Sequence, residues 1–213
     1  MNKVIVFSDY SCPFCYLSKK ALDKLVENHD VQLEWIGYEI HPEIPEGGMT
    51  LLEMGFDEDY IDVIVGEIKK RALQLGVEIN IPERFSNSHL ALLLTELAKD
   101  RGVFKEFNDR VYRDYWVRGI DISDRARLYG YLRELGISKS EIDAFLKNTA
   151  RERFEENLKL AESYGVYAVP TFIINGKLLS GLQTYEDLVK ALGDSPAETG
   201  KATGTCTKES CEL

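Results

Sequence analysis

Along the first forty residues the apolar positions change their period twice. Val4, Ile5, Val6 and Phe7 form an unbroken run ending at Ser8, Asp9 and Ser11, which favour turns, so a buried strand is predicted there. From Pro13 onward Leu17, Ala21, Leu22, Leu25 and Val26 recur at helical spacing, with Lys19, Lys20, Asp23 and Lys24 on the outer face. Pro13 suits the first turn of that helix, where its missing N–H would have no partner anyway. Val31, Leu33 and Trp35 then alternate as in a second strand. Strand, helix and strand this close together imply parallel pairing through a right-handed crossover.

Two prolines and a Gly-Gly in "HPEIPEGGMT" mark a long connection out of the sheet. From about Asp57 to Tyr164 the pattern is helical almost throughout. Ile61, Ile64, Ile68, Ala72 and Leu75 make one stripe, Leu90, Leu93, Leu94 and Leu97 a second, and Phe104, Phe107, Val111 and Tyr115 a third. Such stripes are read as core packing. Gly76, Gly102, Gly136 and Gly165 fall where helices should end, and Ser138 with Glu141 makes a capping box before Ile142, Phe145 and Leu146. A strand from Val169 to Ile174, the turn Asn175-Gly176 and a short strand from Lys177 to Ser180 follow, which is a hairpin signature. A last helix covers about Tyr185 to Leu192.

The strands therefore lie at the two ends of the chain, around a helical block. This predicts an α/β fold: residues 1–50 as one half of a strand-bearing domain, 51–150 as an all-helical insertion, and 151–192 as the other half. Residues 193–213, rich in Gly, Thr, Ser and Lys with almost nothing to bury, are expected to form a flexible tail.

With 213 residues and 44% hydrophobic content, a sizeable core is assured. The net charge of −10 argues against partners bound by neutralising phosphates, so neither nucleic acid nor an anionic membrane is expected. The apolar run Val4 to Phe7 is too short for a signal-peptide core, and a cytoplasmic location is expected. In that reducing setting four cysteines in two close pairs point to redox or metal chemistry sooner than to permanent cross-links.

The first pair, Cys12 and Cys15 in "SDYSCPFCYLSKKAL", sits where the strand gives way to the helix. Cys12 at the cap faces backbone N–H groups with no helical partner and the positive end of the helix dipole, a setting that favours a thiolate. Cys15, one turn deeper, would stay protonated. The chemistry that fits is attack by Cys12 on a disulfide, a mixed-disulfide intermediate, and resolution by Cys15. A zinc site would need more ligands. His29, His41 and His89 have no ligand spacing, so only Cys206 and Cys211 could complete it. No metal is expected. Asp9 is read as shaping the turn, with a local base as the other possibility.

"SDYSCPFCYLSKKAL" resembles the active-site segment of DsbA-like thioredoxin proteins, in the branch that holds FrnE and the 2-hydroxychromene-2-carboxylate isomerases. "YEIHPEIPEGG", "SNSHLALLLTELAKDRG" and "GVYAVPTFIINGK" resemble further motifs of that branch, so the likeness spans residues 3 to about 192. Phe14 stands where Trp is usual and Ser18 where Gly is common. The resemblance implies a thioredoxin fold with a helical insertion, Cys12 as nucleophile and Cys15 as resolving thiol. It also implies active-site support from Pro13 and Phe14, and from Pro170 as a cis-proline that turns the Val169 backbone toward the dithiol. No cofactor is implied, and the expected partners are protein thiols, protein disulfides or glutathione.

The second pair, Cys206 and Cys211, follows Leu192 by a tether of 13 residues before Cys206. As flexible coil that tether spans about 20 Å, enough for a redox relay with the first pair. The expected function is a disulfide oxidase or isomerase. Two alternatives stand beside it: a glutathione-dependent isomerase or transferase of the hydroxychromene-isomerase or kappa-class type, and a zinc-binding or redox-sensing module without catalysis.

Overall fold

The unbroken apolar run at the start becomes the strand β1 (Asn2–Ser8), whose residues Val4 to Ser8 are all buried in a computed structural model that describes residues 2–193. It leads through a tight turn into α1 (Pro13–Asn28) and β2 (Val31–Gly37). β2 pairs parallel to β1, with Val4 opposite Leu33 and Val6 opposite Trp35. After the helices the chain returns as β3 (Thr171–Ile174) and β4 (Lys177–Ser180), followed by α8 (Tyr185–Gly193). β3 runs antiparallel to β1 and β4 antiparallel to β3, so the mixed sheet has the order β2-β1-β3-β4. Central β3 is buried throughout and β1 from Val4 onward, whereas the outer β4 alternates in exposure, as strand position predicts. Asn175 and Gly176 both take positive φ (50° and 77°), the backbone that a two-residue hairpin with matching twist demands.

Between β2 and β3 lie α2 (Glu58–Leu75), α3 (His89–Asp100), α4 (Phe104–Trp116), α5 (Arg125–Glu134), α6 (Lys139–Asn148) and α7 (Ala150–Tyr164). Their ends carry the expected chemistry. Asp57 Oδ1 accepts from Tyr60 N at 2.8 Å at the start of α2, and Ser138 with Glu141 forms a complete capping box on α6. Gly76 and Gly165 close α2 and α7 in the left-handed conformation.

Two details depart from the sequence expectation. α3 is buried nearly all round, at Ala91, Leu92, Thr95, Glu96 and Ala98 as well as at Leu94 and Leu97 of the leucine stripe, because α4, α5, α6 and α7 pack around it. Glu96 survives there because Lys99 Nζ lies 2.6 Å away and Asn157 donates to it at 3.0 Å. β3 begins at Thr171 and not at Val169, since Pro170 has no N–H for the ladder.

α1 links the layers. Leu22 and Leu25 face the main core, while Leu17 packs with Ile68 and Ala72 of α2 in a smaller cluster.

Candidate active site

The turn between β1 and α1 is tied by its own backbone and by a carboxylate. Cys12 N donates to Asp9 O at 3.3 Å, Asp9 Oδ1 accepts from Ser11 N at 3.0 Å, and Asp9 Oδ2 accepts from Ile40 N at 2.8 Å. Asp9 thus joins the turn to the segment leaving β2, which is the turn-shaping role. Burial pushes its carboxyl above the usual range, and the hydrogen bonds oppose that push in part.

This turn delivers Cys12 to the N-cap of α1, with extended backbone, and Pro13 to the first helical position. Cys12 O accepts from Tyr16 N, the first bond of the helix. Cys15 lies in the same first turn, and both cysteines are buried thiols with 1% and 3% of their surface exposed. Burial first, and the hydrogen-bonded Cys12 second, push the Cys15 thiol well above its ordinary value, whereas Ser8 pulls it down. At neutral pH Cys15 is a protonated thiol.

Across from the helix end, the Cys12 thiol points at Val169 O at 3.6 Å, next to the cis bond to Pro170. The sequence-predicted residues Cys12, Pro13, Cys15, Val169 and Pro170 thus meet at one place. Phe14 is part-buried and packs against both hydrophobic clusters. Cys206 and Cys211 lie outside the described residues. The three histidines hold partners away from the dithiol: His29 with Tyr185, His41 with Glu43 and His89 with Glu39. Among the described residues no group of three or more His, Cys, Asp or Glu side chains is placed to hold a metal ion.

The helical block grips the turn from the far side, which the sequence reading missed. Ser8 Oγ lies 2.8 Å from Tyr112 OH, and Tyr112 OH also donates to Asp9 O at 3.3 Å. Trp116 Nε1 donates to Tyr10 O at 2.8 Å, and Asn108 Nδ2 donates to Tyr10 OH at 3.2 Å. Burial, then the nearby Cys15, push the Tyr112 hydroxyl up, so it stays protonated and able to donate. The one local hint was the density of hydroxyl and indole rings in "VYRDYW", more than a packing stripe needs.

Residues 3–193 match the family model of the DSBA-like thioredoxin domain. A relative from Bacillus subtilis (strain 168), the uncharacterized protein YwbO, is 29% identical over 193 residues, covering 89% of this chain and 94% of its own. Among solved structures, the probable DsbA oxidoreductase SCO1869 from Streptomyces coelicolor superposes with a TM-score of 0.76 at 22% identity, covering 100% of this chain and 99% of its own. A 2-hydroxychromene-2-carboxylate isomerase reaches 0.74 at 20% identity, over 90% of this chain and 94% of its own. The cytosolic disulfide reductase DsbM from Pseudomonas aeruginosa, solved with and without GSH, reaches 0.62 at 19%, over 89% and 93%. A dithiol at a helix start beside a cis-proline, on a four-stranded sheet interrupted by helices, thus agrees with a family match over nearly the whole chain: the protein belongs to the DsbA-like thioredoxin family of thiol oxidoreductases.

Proposed function

We propose that this protein is a cytoplasmic thiol-disulfide oxidoreductase that acts through Cys12 and Cys15 on protein thiols and disulfides, with glutathione as a redox partner. The observation that carries this reading is the arrangement of the pair. Cys12 caps α1 with its thiol 3.6 Å from Val169 O, and Cys15 is held protonated in the first turn of the same helix.

In the reducing direction the Cys12 thiolate attacks one sulfur of a substrate disulfide. A Cys12–substrate S–S bond forms, the substrate S–S bond breaks, and the second substrate sulfur leaves as a thiolate that takes up a proton. Cys15 then gives up its proton and attacks Cys12 Sγ. The Cys12–Cys15 disulfide forms and the substrate leaves fully reduced. Oxidation of a dithiol substrate is the same sequence reversed. With 1% of its surface exposed, Cys12 is reached only after neighbouring side chains yield. Tyr167, 82% exposed two residues before Val169, marks the surface a substrate chain would meet.

The cytosolic DsbM structure with GSH supports the choice of compartment and of partner. For Cys206 and Cys211, the 13-residue tether supports exchange with the Cys12 pair as a relay.

The test is equilibration of the full chain in glutathione buffers. A Cys12–Cys15 disulfide with a potential near about −180 mV supports oxidase or isomerase work, and one near about −270 mV supports reductase work. Failure to form that disulfide in any buffer removes the reading.

A further inference from the structure

Ser8 closes β1 and Tyr112 lies within α4, yet both side chains are buried and line one cavity together with Cys15. Ser8 Oγ is 2.8 Å from Tyr112 OH, and Ser8 also hydrogen-bonds the Cys15 sulfur. The result is a chain of hydrogen bonds from Cys15 to Ser8 to Tyr112, whose far end is Asp9 O at 3.3 Å. The Tyr112 ring packs on Tyr10 and Tyr16, with centroids 4.8 and 5.9 Å away, and its O–H can turn while the ring stays in place.

A hydroxyl carries one proton and accepts as well as donates, so this chain has two directions. With Cys15 as a thiol, Cys15 gives to Ser8, Ser8 to Tyr112 and Tyr112 to Asp9 O. A Cys15 thiolate cannot donate, and Ser8 then points its own proton at the sulfur. Tyr112 completes the reversal by turning its proton from Asp9 O at 3.3 Å to Ser8 Oγ at 2.8 Å. Asp9 O keeps a partner, because Cys12 N still donates to it at 3.3 Å. Every group is satisfied in both directions, and the second aims two hydroxyl dipoles at the negative sulfur.

We propose that Tyr112 is a positioning residue for the resolving step, acting on Cys15 through Ser8 by holding the Ser8 hydroxyl on the sulfur as the thiolate forms. The inference rests on the dithiol reading above. In that step the Cys15 sulfur bonds Cys12 Sγ, the Cys12–substrate S–S bond breaks, and the proton given up by Cys15 ends on the departing substrate sulfur. Without the Tyr112 hydroxyl the thiolate is less well stabilised and forms at higher pH. The other ionisable groups around Cys15 and Tyr112 are unchanged by that loss. They are Cys12 in the same turn and Asp9, whose carboxyl is tied to Ser11 N and Ile40 N. Around the cavity stand Lys19, Asp23 and Glu27 of α1 with Lys105 and Asp109 of α4, and beyond Tyr112 stand Glu78 and Arg113. The strands bring only uncharged side chains to the cavity.

The test uses the aromatic disulfide DTNB on the full-length chain carrying Cys206→Ser and Cys211→Ser, so that only the Cys12 pair reacts. Attack by Cys12 releases one coloured thiolate and resolution by Cys15 releases a second, and stopped flow times both phases across pH. Tyr112→Phe is expected to slow the second phase about fivefold on its rising limb, the worth of one neutral hydrogen bond, and to move that limb to higher pH. The first phase is unchanged. Tyr112→Phe added to Ser8→Ala has no further effect on the limb, because the link is already cut. Trp116→Phe, which loosens the same helix without touching Ser8, leaves the limb in place. The proposal is overturned by an unmoved limb in Tyr112→Phe, by effects of Tyr112→Phe and Ser8→Ala that multiply, or by a limb that moves equally in Trp116→Phe. A first phase with no second in the unsubstituted pair would instead overturn the dithiol reading, and this role with it.

Discussion

Ser8 Oγ and Tyr112 OH lie 2.8 Å apart, joining the last residue of β1 to a helix 104 positions later, and the same Ser8 pulls the Cys15 thiol down against its burial. Ser8→Ala therefore lifts the Cys15 value further. The resolving step slows, and the rising limb of its pH profile moves to higher pH, as seen by following decay of a pre-formed Cys12 mixed disulfide across pH. Tyr112→Phe keeps the ring but loses the hydroxyl, at a cost of about 1 kcal/mol in stability. An unmoved pH limb in Ser8→Ala would show that Ser8 does not act on Cys15.

Replacing the two thiols separates their roles. Cys15→Ser stops the reaction at the mixed disulfide, which accumulates and is seen as a covalent adduct on the Cys12 peptide by mass spectrometry. Cys12→Ser forms no adduct and loses turnover to background. An adduct that accumulates on Cys15 in the second variant would reverse the assignment.

Trp116 is fully buried and its indole N–H satisfies Tyr10 O at 2.8 Å. Trp116→Phe removes the donor, leaves a buried carbonyl short of a partner and opens space. Urea titration should show a loss of about 1–3 kcal/mol from the unmet group alone. Little or no loss would mean that the helix does not brace the turn.

Asp9 sets a pH dependence of definite sign. Its folded value is raised above the ordinary 3.8, so between the two values the folded chain holds a proton that the unfolded chain has released. Stability from this group is fully present below 3.8 and falls as pH rises through the raised value. Asp9→Asn has nothing to titrate there. The stability of the native chain minus that of Asp9→Asn, from urea midpoints, should decrease as pH rises from 3.8 and then level off. A difference that grows with pH would contradict the sign.

If the tail pair is a relay, Cys206→Ser combined with Cys211→Ser changes the apparent potential of the Cys12 pair in glutathione buffers and slows turnover. Equal potential and equal turnover would remove the relay and leave the first pair's chemistry untouched.

What could be read from the sequence was what neighbours along the chain decide. The run Val4 to Phe7, the Asn175-Gly176 turn and the Ser138–Glu141 box are local devices, and each stands where its residues predict. The dithiol's place at a strand-to-helix junction was local too. The brace on the turn was not, because Ser8 with Tyr112, Tyr10 OH with Asn108, and the Tyr10 carbonyl with Trp116 are pairings about a hundred positions apart. Nothing in the period of α4 distinguishes a ring that fills space from one that donates to a carbonyl. The leucine stripe on α3 does pack on the core, but the burial of its other positions was hidden for a related reason: a helix surrounded by others has little polar face to reveal its orientation.

The brace from α4 also bears on how a new chain is made. Trp116 follows Cys15 by 101 residues, which at about 5–20 residues per second separates their synthesis by about 5–20 s. Contacts of such long range form late in folding. For that interval the two thiols exist on a nascent chain without the walls that bury them in the folded protein. Competence as an oxidoreductase arrives when the helical block docks, and the interval before it is when the dithiol is most open to stray oxidation.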